Sequence, residues 1–238
     1  MIIRAGYALS YDCQAATPML LQLNVHPSRE ADLLSPDVIG STPRVLMDFY
    51  CDLFGNRVTR VEAPPGLVTF TSDFIIRDSG LPDETPEDAP LAPIRDLPHD
   101  VLVFLLASRY CDSDTLSDFA WSKFGGIGGG SRLVQAICDF VHERIHFDYG
   151  AANPRRTAAD GLREGVGVCR DFAHLAIALL RAMNVPARYC TGYLGDIGVP
   201  MNPDPMDFSA PLQRFQVTTY EEAMAGSRSA RVARGGVG

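Results

Sequence analysis

A proline-rich acidic segment separates two parts of the chain that differ in their hydrophobic period. Residues 77–100 contain five prolines and seven acidic residues against two arginines. A segment of this composition cannot bury enough apolar surface to form a core. We therefore predict a surface linker over residues 77–100, between a first domain at 1–76 and a second at 101–222. A disordered tail is predicted over residues 223–238.

The first domain is predicted to be an antiparallel β-sandwich. Apolar and polar residues alternate over residues 19–25 and again over 68–76, which is the two-residue period of a strand with one buried face. Gly55 and Asn56 lie between two further strand-like runs and indicate a hairpin. Several short strands separated by turn residues favour a small sandwich.

The second domain is predicted to be largely helical. Phe172, Ala176, Leu179, Leu180 and Met183 fall within one arc of about 100° on a helical projection, which is typical of an amphipathic helix facing a core. A glycine-rich run at 125–130 interrupts the helical pattern. The predicted helices are 101–110, 115–123, 132–146 and 169–183, and a strand is predicted over 188–194.

The charge of the chain argues against two classes of partner. The formal net charge is −8, and Lys123 is the only lysine. Nucleic acids and anionic membrane surfaces both require a basic face. We expect neither nucleic-acid binding nor membrane association.

The cysteine pattern predicts free thiols. The six cysteines are scattered and none forms a C-x-x-C pair, while the first residues lack a signal-peptide pattern. Such cysteines are typical of a reducing compartment. We therefore expect a cytoplasmic protein.

Cys169 lies where a helix could activate its thiol. It follows Gly165 and Gly167 and is predicted to lie on the first turn of a helix. The unpaired N–H groups of a first turn stabilise a thiolate and can also receive an oxyanion. From these residues alone, a buried structural cysteine is as good an interpretation as a nucleophile.

The surrounding motif resembles a known family. Gly-Val-Cys-Arg-Asp-Phe-Ala-His at 167–174, with Leu-Leu-Arg-Ala-Met-Asn-Val-Pro-Ala-Arg-Tyr-Cys-Thr-Gly-Tyr at 179–193, is similar to the nucleophile helix and following strand of the bacterial transglutaminase-like family. Members are often described as cysteine proteases, and the likeness covers about residues 131–210. It implies an α+β fold, in which an N-terminal antiparallel β-sandwich precedes a papain-like core.

The resemblance also implies a reaction. Cys169 would be the nucleophile that attacks the amide bond of a peptide or protein substrate, and no cofactor would be required. The acyl-enzyme would be resolved by water, as in a protease, or by an amine, as in a transglutaminase.

The histidine that should activate this thiol is not found at its expected place. In the family, that histidine lies in an Asp-x-His-Ala-Trp motif and an aspartate follows on the next strand. Residues 206–210 occupy that place here, with Ser209 at the histidine position and Pro211 at the tryptophan position. We therefore expect a core that is incomplete at its C-terminal end and an impaired enzyme. His174 lies five residues after Cys169, about 140° around the helix, and is predicted to face solvent.

Two other interpretations remain open. The chain could be a decayed or non-catalytic member of the family that binds peptides. Alternatively, His142-Glu143-x-x-His146 matches a zinc-protease motif, for which Glu164 would be the third ligand. His146 falls at the end of the predicted helix, which argues against the zinc-protease interpretation.

Overall fold

The chain folds into two units, each with its own core. The computed structural model describes residues 1–81, 88–192, 194–195 and 233–234. The first unit covers residues 1–81, and the second comprises the other described residues. Strands dominate the first unit and helices the second, which confirms the predicted α+β class.

Two three-stranded antiparallel sheets form the first unit. The strands are β1 (Ile2–Cys13), β2 (Thr17–Leu21), β3 (Gly40–Thr42), β4 (Met47–Cys51), β5 (Arg57–Ala63) and β6 (Gly66–Arg77). One sheet has the order β1-β6-β3 and the other β2-β5-β4. A short 3-10 helix, Pro27–Asp32, also belongs to this unit.

The two sheets share one hydrophobic core, as a sandwich requires. Its buried residues come from β1 and β6 in one sheet and from β2 and β5 in the other: Cys13, Leu21, Val61, Ala63, Val68 and Phe70. Every second residue of β6 is buried from Val68 to Ile76. The alternation in this stretch therefore identified the face that β6 turns to the core.

The predicted hairpin joins β4 to β5. Asp52 accepts hydrogen bonds from the backbone N–H groups of Phe54 and Asn56, at 2.8 and 2.9 Å. Gly55 adopts a φ of +80°, a conformation that favours glycine. These contacts close the turn and fix the register of the two strands.

Four helices and two short strand pairs form the second unit. The helices are α1 (Ser117–Phe124), α2 (Gly130–Arg144), α3 (Ala158–Glu164) and α4 (Cys169–Ala182). Strand β7 (His146–Phe147) pairs in parallel with β8 (Val166–Gly167), and β9 (Leu194–Gly195) pairs in parallel with β10 (Ala233–Arg234). Three 3-10 helices complete the described elements: Ile94–Asp96, His99–Leu105 and Tyr149–Ala151.

Helix α4 is the centre of the second unit. Twelve of its fourteen residues are buried, and α1, α2 and α3 all pack against it. Leu175, Leu179 and Leu180 have no exposed surface. We predicted that one face of this helix packs against the core. The helix is instead buried on almost every side.

Residues 101–110 do not form the predicted α-helix. A 3-10 helix over His99–Leu105 occupies part of this stretch, and an extended segment follows. Arg181 of α4 donates a hydrogen bond to the carbonyl of Leu106 at 2.8 Å. This carbonyl is therefore used by a tertiary contact rather than by a further helical turn.

Residues 188–192 of the predicted strand 188–194 do not form a strand, whereas its last residue, Leu194, lies in β9. The backbone N–H of Ala187 donates to the carbonyl of Phe104 at 3.1 Å. This bond ties the segment after α4 to the 3-10 helix His99–Leu105. A strand requires a neighbouring strand, and the described part of the chain offers none here.

The described residues contain no helix with the length and hydrophobicity needed to cross a bilayer. The longest is α2, with fifteen residues.

We predict that Leu179→Ala destabilises the second unit by about 2–5 kcal/mol, because it opens a cavity at a fully buried position. Urea unfolding followed by the fluorescence of Trp121, the single tryptophan, would measure this change within the second unit. Leu106→Ala is the matched control, since Leu106 is 62% exposed. Equal stability of the two variants would contradict the central position of α4.

Candidate active site

Cys169 is the first residue of α4. The preceding residue, Val168, is extended, with φ −110° and ψ 175°. The backbone N–H groups of Cys169 and Arg170 donate no hydrogen bond to any group in the described ranges. The thiol therefore lies beside two unpaired N–H groups and the positive end of a fourteen-residue helix.

The segment before Cys169 is held against β7. The N–H of His146 donates to the carbonyl of Gly165, and the N–H of Asp148 donates to the carbonyl of Gly167, both at 2.9 Å. Gly165 ends α3 with a φ of +68°, and a Cβ there would clash with Arg144. The direction in which the chain enters α4 is thus fixed by backbone pairing.

Asp171 caps the start of α4. Its Oδ2 accepts a hydrogen bond from the backbone N–H of Val168 at 2.8 Å. The carboxylate also packs on Gly167, where an added Cβ would lie 2.6 Å from Oδ2. Glycine is therefore required at this position for steric reasons, and Asp171 stabilises the helix N-terminus through a direct hydrogen bond.

Arg156 is buried and neutralises Asp171. Its guanidinium donates to Asp171 Oδ2 at 3.1 Å, to Glu164 Oε2 at 2.8 Å and to the carbonyl of Ala151 at 2.8 Å. Burial alone would lower the pKa of Arg156, but its bonds to Glu164 and Asp171 hold that pKa above the ordinary value. The arginine therefore stays charged and joins the loop before α3, the end of α3 and the start of α4.

The side chain of Cys169 packs against apolar side chains. Cys169 is 8% exposed and packs with Ala173 and Phe147. No histidine in the described part of the chain is hydrogen-bonded to its sulfur. The site thus combines a nearly buried thiol with unpaired backbone donors.

Comparison with known proteins identifies this arrangement. The Transglutaminase-like superfamily matches residues 123–223. A crystal structure of a putative cysteine protease from Cytophaga hutchinsonii superposes with a TM-score of 0.69 at 28% identity, over 83% of this chain and 71% of that chain. Residues 123–223 are therefore similar to the transglutaminase-like superfamily, and the solved structure supports the same family.

Mycobacterial proteins share shorter stretches with this transglutaminase-like chain. An uncharacterized protein of Mycobacterium leprae is 35% identical over 63 residues, which are 26% of this chain and 23% of that protein. An uncharacterized protein of Mycobacterium tuberculosis is 41% identical over 66 residues, which are 26% of this chain and 21% of that protein. The matches therefore span less than a quarter of these relatives' length.

The prediction that His174 faces solvent is wrong. His174 is 7% exposed, its ring stacks on Tyr110 at 5.3 Å between centroids, and Tyr189 lies at 5.5 Å. Burial, followed by the charge of Arg170, lowers its pKa to about 4. His174 lies on a different face of α4 from Cys169. That face packs against aromatic rings rather than facing water.

The zinc-protease motif does not form a metal site in the described structure. Helix α2 ends at Arg144, and His146 lies on β7, so the two histidines do not share a helical face. Glu164 is instead paired with Arg156. Among residues 1–81 and 88–192, no three His, Cys, Asp or Glu side chains are grouped to hold a metal ion.

Some parts of this transglutaminase-like site were predicted and others were missed. The position of Cys169 on the first turn of a helix is confirmed, whereas Ser209 and residues 206–210 lie outside the described residues. Arg156, Tyr110 and Tyr189 were missed. Their contacts join residues 15 to 64 positions apart in the sequence, and no local pattern reports such contacts.

We predict that Gly167→Ala destabilises the second unit by about 1–3 kcal/mol, because the added methyl group overlaps the Asp171 carboxylate. Chemical unfolding monitored at Trp121 would measure the loss. Gly126→Ala serves as the control, since a Cβ at Gly126 would meet nothing within 4 Å. If both variants were as stable as the wild type, the close packing of Asp171 on Gly167 would be refuted.

His174 should make the second unit acid-sensitive. The folded state keeps the ring neutral down to about pH 4, whereas the unfolded chain binds a proton near pH 6.5. Between these values the unfolded state holds more protons, so stability falls as the pH falls through this window. His174→Phe should remove about 1–3 kcal/mol of the stability difference between pH 7 and pH 4.

Unfolding of the wild type and of His174→Phe at several pH values would measure this difference. His146→Phe is the control because His146 is exposed. The same acid dependence in all three proteins would show that His174 is protonated equally well in the folded chain.

Proposed function

We propose that Cys169 is the nucleophile of a thiol acyltransfer reaction on a peptide or protein amide. The observation that carries this proposal is the position of the thiol on the first turn of α4, next to the unpaired N–H groups of Cys169 and Arg170. Free backbone donors at a helix start can stabilise a thiolate and an oxyanion. The likeness to the cysteine protease structure supports the same chemistry.

The reaction has two steps. In the first, the Cys169 thiolate forms an S–C bond to the amide carbonyl, the C–N bond breaks, and the leaving amine takes a proton from solvent water. In the second, water or another amine attacks the thioester and gives up a proton to solvent, and the C–S bond breaks to return the thiolate. The charge that builds on the carbonyl oxygen in each step would be accepted by the N–H groups at the start of α4. The reaction uses no cofactor.

Turnover is proposed to be slow. Proton transfer by a positioned base contributes about 10²–10⁴-fold to such reactions, and Ser209 stands where the family motif has its histidine. A serine hydroxyl cannot act as a base at neutral pH. His174 is neutral but buried between two tyrosine rings, which gives its nitrogen atoms no open path to the thiol.

A non-catalytic peptide-binding role is the second candidate. It is favoured by the small exposed fraction of Cys169 and by the serine at position 209. In this case the fold would keep the family's peptide-binding surface, while the thiol would have an ordinary reactivity.

We predict that p-nitrophenyl acetate acetylates Cys169 with a burst of about one nitrophenol per chain, followed by a slow steady rate, because acylation by an activated ester needs only a thiolate. Stopped-flow absorbance would record the burst, and peptide mass spectrometry would locate the acetyl group. Cys51 provides an internal reference for an exposed ordinary thiol.

Cys169→Ala is the matched variant for this experiment and should abolish the burst. Acetylation of Cys51 and Cys169 at equal rates would favour the non-catalytic candidate. A burst that persists in Cys169→Ala would contradict the assignment of the nucleophile.

A further inference from the structure

A buried ion pair lies at the start of α4, with its carboxylate two residues after the proposed nucleophile. The side chain of Asp171 is 1% exposed and that of Arg156 is 6% exposed, and their charged atoms are 3.1 Å apart. Among the described residues Asp171 Oδ1 has no hydrogen-bond partner, and the guanidinium of Arg170 lies 3.9 Å from it. The carboxylate is therefore shielded from water and depends on Arg156 for compensation of its charge.

An uncompensated carboxylate at this place would oppose thiolate formation. Asp171 caps the N–H of Val168, the residue just before Cys169. A negative charge close to a thiol disfavours its ionisation, whereas a positive charge favours it. In a buried position this effect is only weakly screened by solvent.

Arg156 is also linked to the rest of the fold. Its two other partners are Glu164, at the end of α3, and the carbonyl of Ala151, at the end of the 3-10 helix Tyr149–Ala151. The side chain of Glu164 is 36% exposed, so water can solvate this second carboxylate. Asp171 is 1% exposed, and of the two arginines near it Arg156 is the buried, hydrogen-bonded one, whereas Arg170 lies at 3.9 Å with a side chain that is 34% exposed.

We propose that Arg156 is a positioning residue of this site, which holds the Asp171 carboxylate as the backbone cap of Val168 and cancels its negative charge next to Cys169. The proposal rests on the proposed function in so far as Cys169 is the nucleophile. Tyr189, in the segment that follows α4, interacts electrostatically with Cys169, and Arg170 is the next residue on α4. Both remain unchanged in the variants used below.

The test is the rate of iodoacetamide alkylation of Cys169 between pH 5.5 and 9.5, located by peptide mass spectrometry. Arg156→Met should raise the midpoint by about one pH unit and slow alkylation at pH 7 by about tenfold, because the rate below the midpoint follows the thiolate fraction. Asp171→Asn should lower the midpoint, since the amide oxygen can still accept from Val168 while the negative charge is gone. The double variant Arg156→Met/Asp171→Asn should return to the wild-type midpoint.

Circular dichroism and the unfolding midpoint at Trp121 accompany each measurement. Arg132→Met is the matched control, since Arg132 forms an exposed ion pair with Asp88, and it should leave the alkylation profile unchanged. A folded Arg156→Met with the wild-type midpoint would overturn the proposal, as would a double variant that keeps the raised midpoint. If Arg156→Met does not fold, an unchanged midpoint in Asp171→Asn would overturn it.

This experiment separates the two proposals. Alkylation requires no turnover, so the shifts can be observed even if the acetylation burst is absent. A missing burst together with the predicted shifts would leave Arg156 as a positioning residue and refute only the proposed reaction.

Discussion

The hydrogen bond from the Val168 N–H to Asp171 is the contact on which the candidate site depends. It uses the donor just before the helix and leaves the N–H groups of Cys169 and Arg170 free among the described residues. The same carboxylate requires glycine at position 167 and a cation at position 156. One capping interaction therefore explains why a glycine, an aspartate and a distant arginine meet at the start of α4.

The burial of α4 also encloses polar side chains, and burying them costs stability. Asp171 and His174 are both buried on this helix, and each carries an atom without a hydrogen-bond partner. The two groups are accommodated differently: the aspartate is compensated by Arg156, whereas the histidine remains neutral between aromatic rings. Buried polar groups are retained at a cost in stability, which indicates that the first two turns of α4 serve more than packing.

Local patterns in the sequence predicted several elements of the fold but not the partners of the site. The alternation in β6 and the turn at Gly55 depend on neighbours in the sequence, and both predictions are confirmed. Strand β1 shows the same alternation in its burial, yet it was not predicted. The surroundings of His174 and the Arg156–Asp171 pair depend on tertiary contacts, which a single sequence does not contain. The 3-10 helix His99–Leu105 replaces a predicted α-helix for the same reason, because Arg181 binds the Leu106 carbonyl.

The central claim is that the start of α4 is built to stabilise charge on sulfur and on a carbonyl oxygen. A crystal structure of the protein treated with a peptide aldehyde tests this claim most directly. The account predicts a hemithioacetal on Cys169 whose oxygen lies about 2.7–3.1 Å from the N–H nitrogen of Cys169 or Arg170. An aldehyde that leaves Cys169 unmodified, or an adduct whose oxygen contacts neither backbone nitrogen, would contradict it.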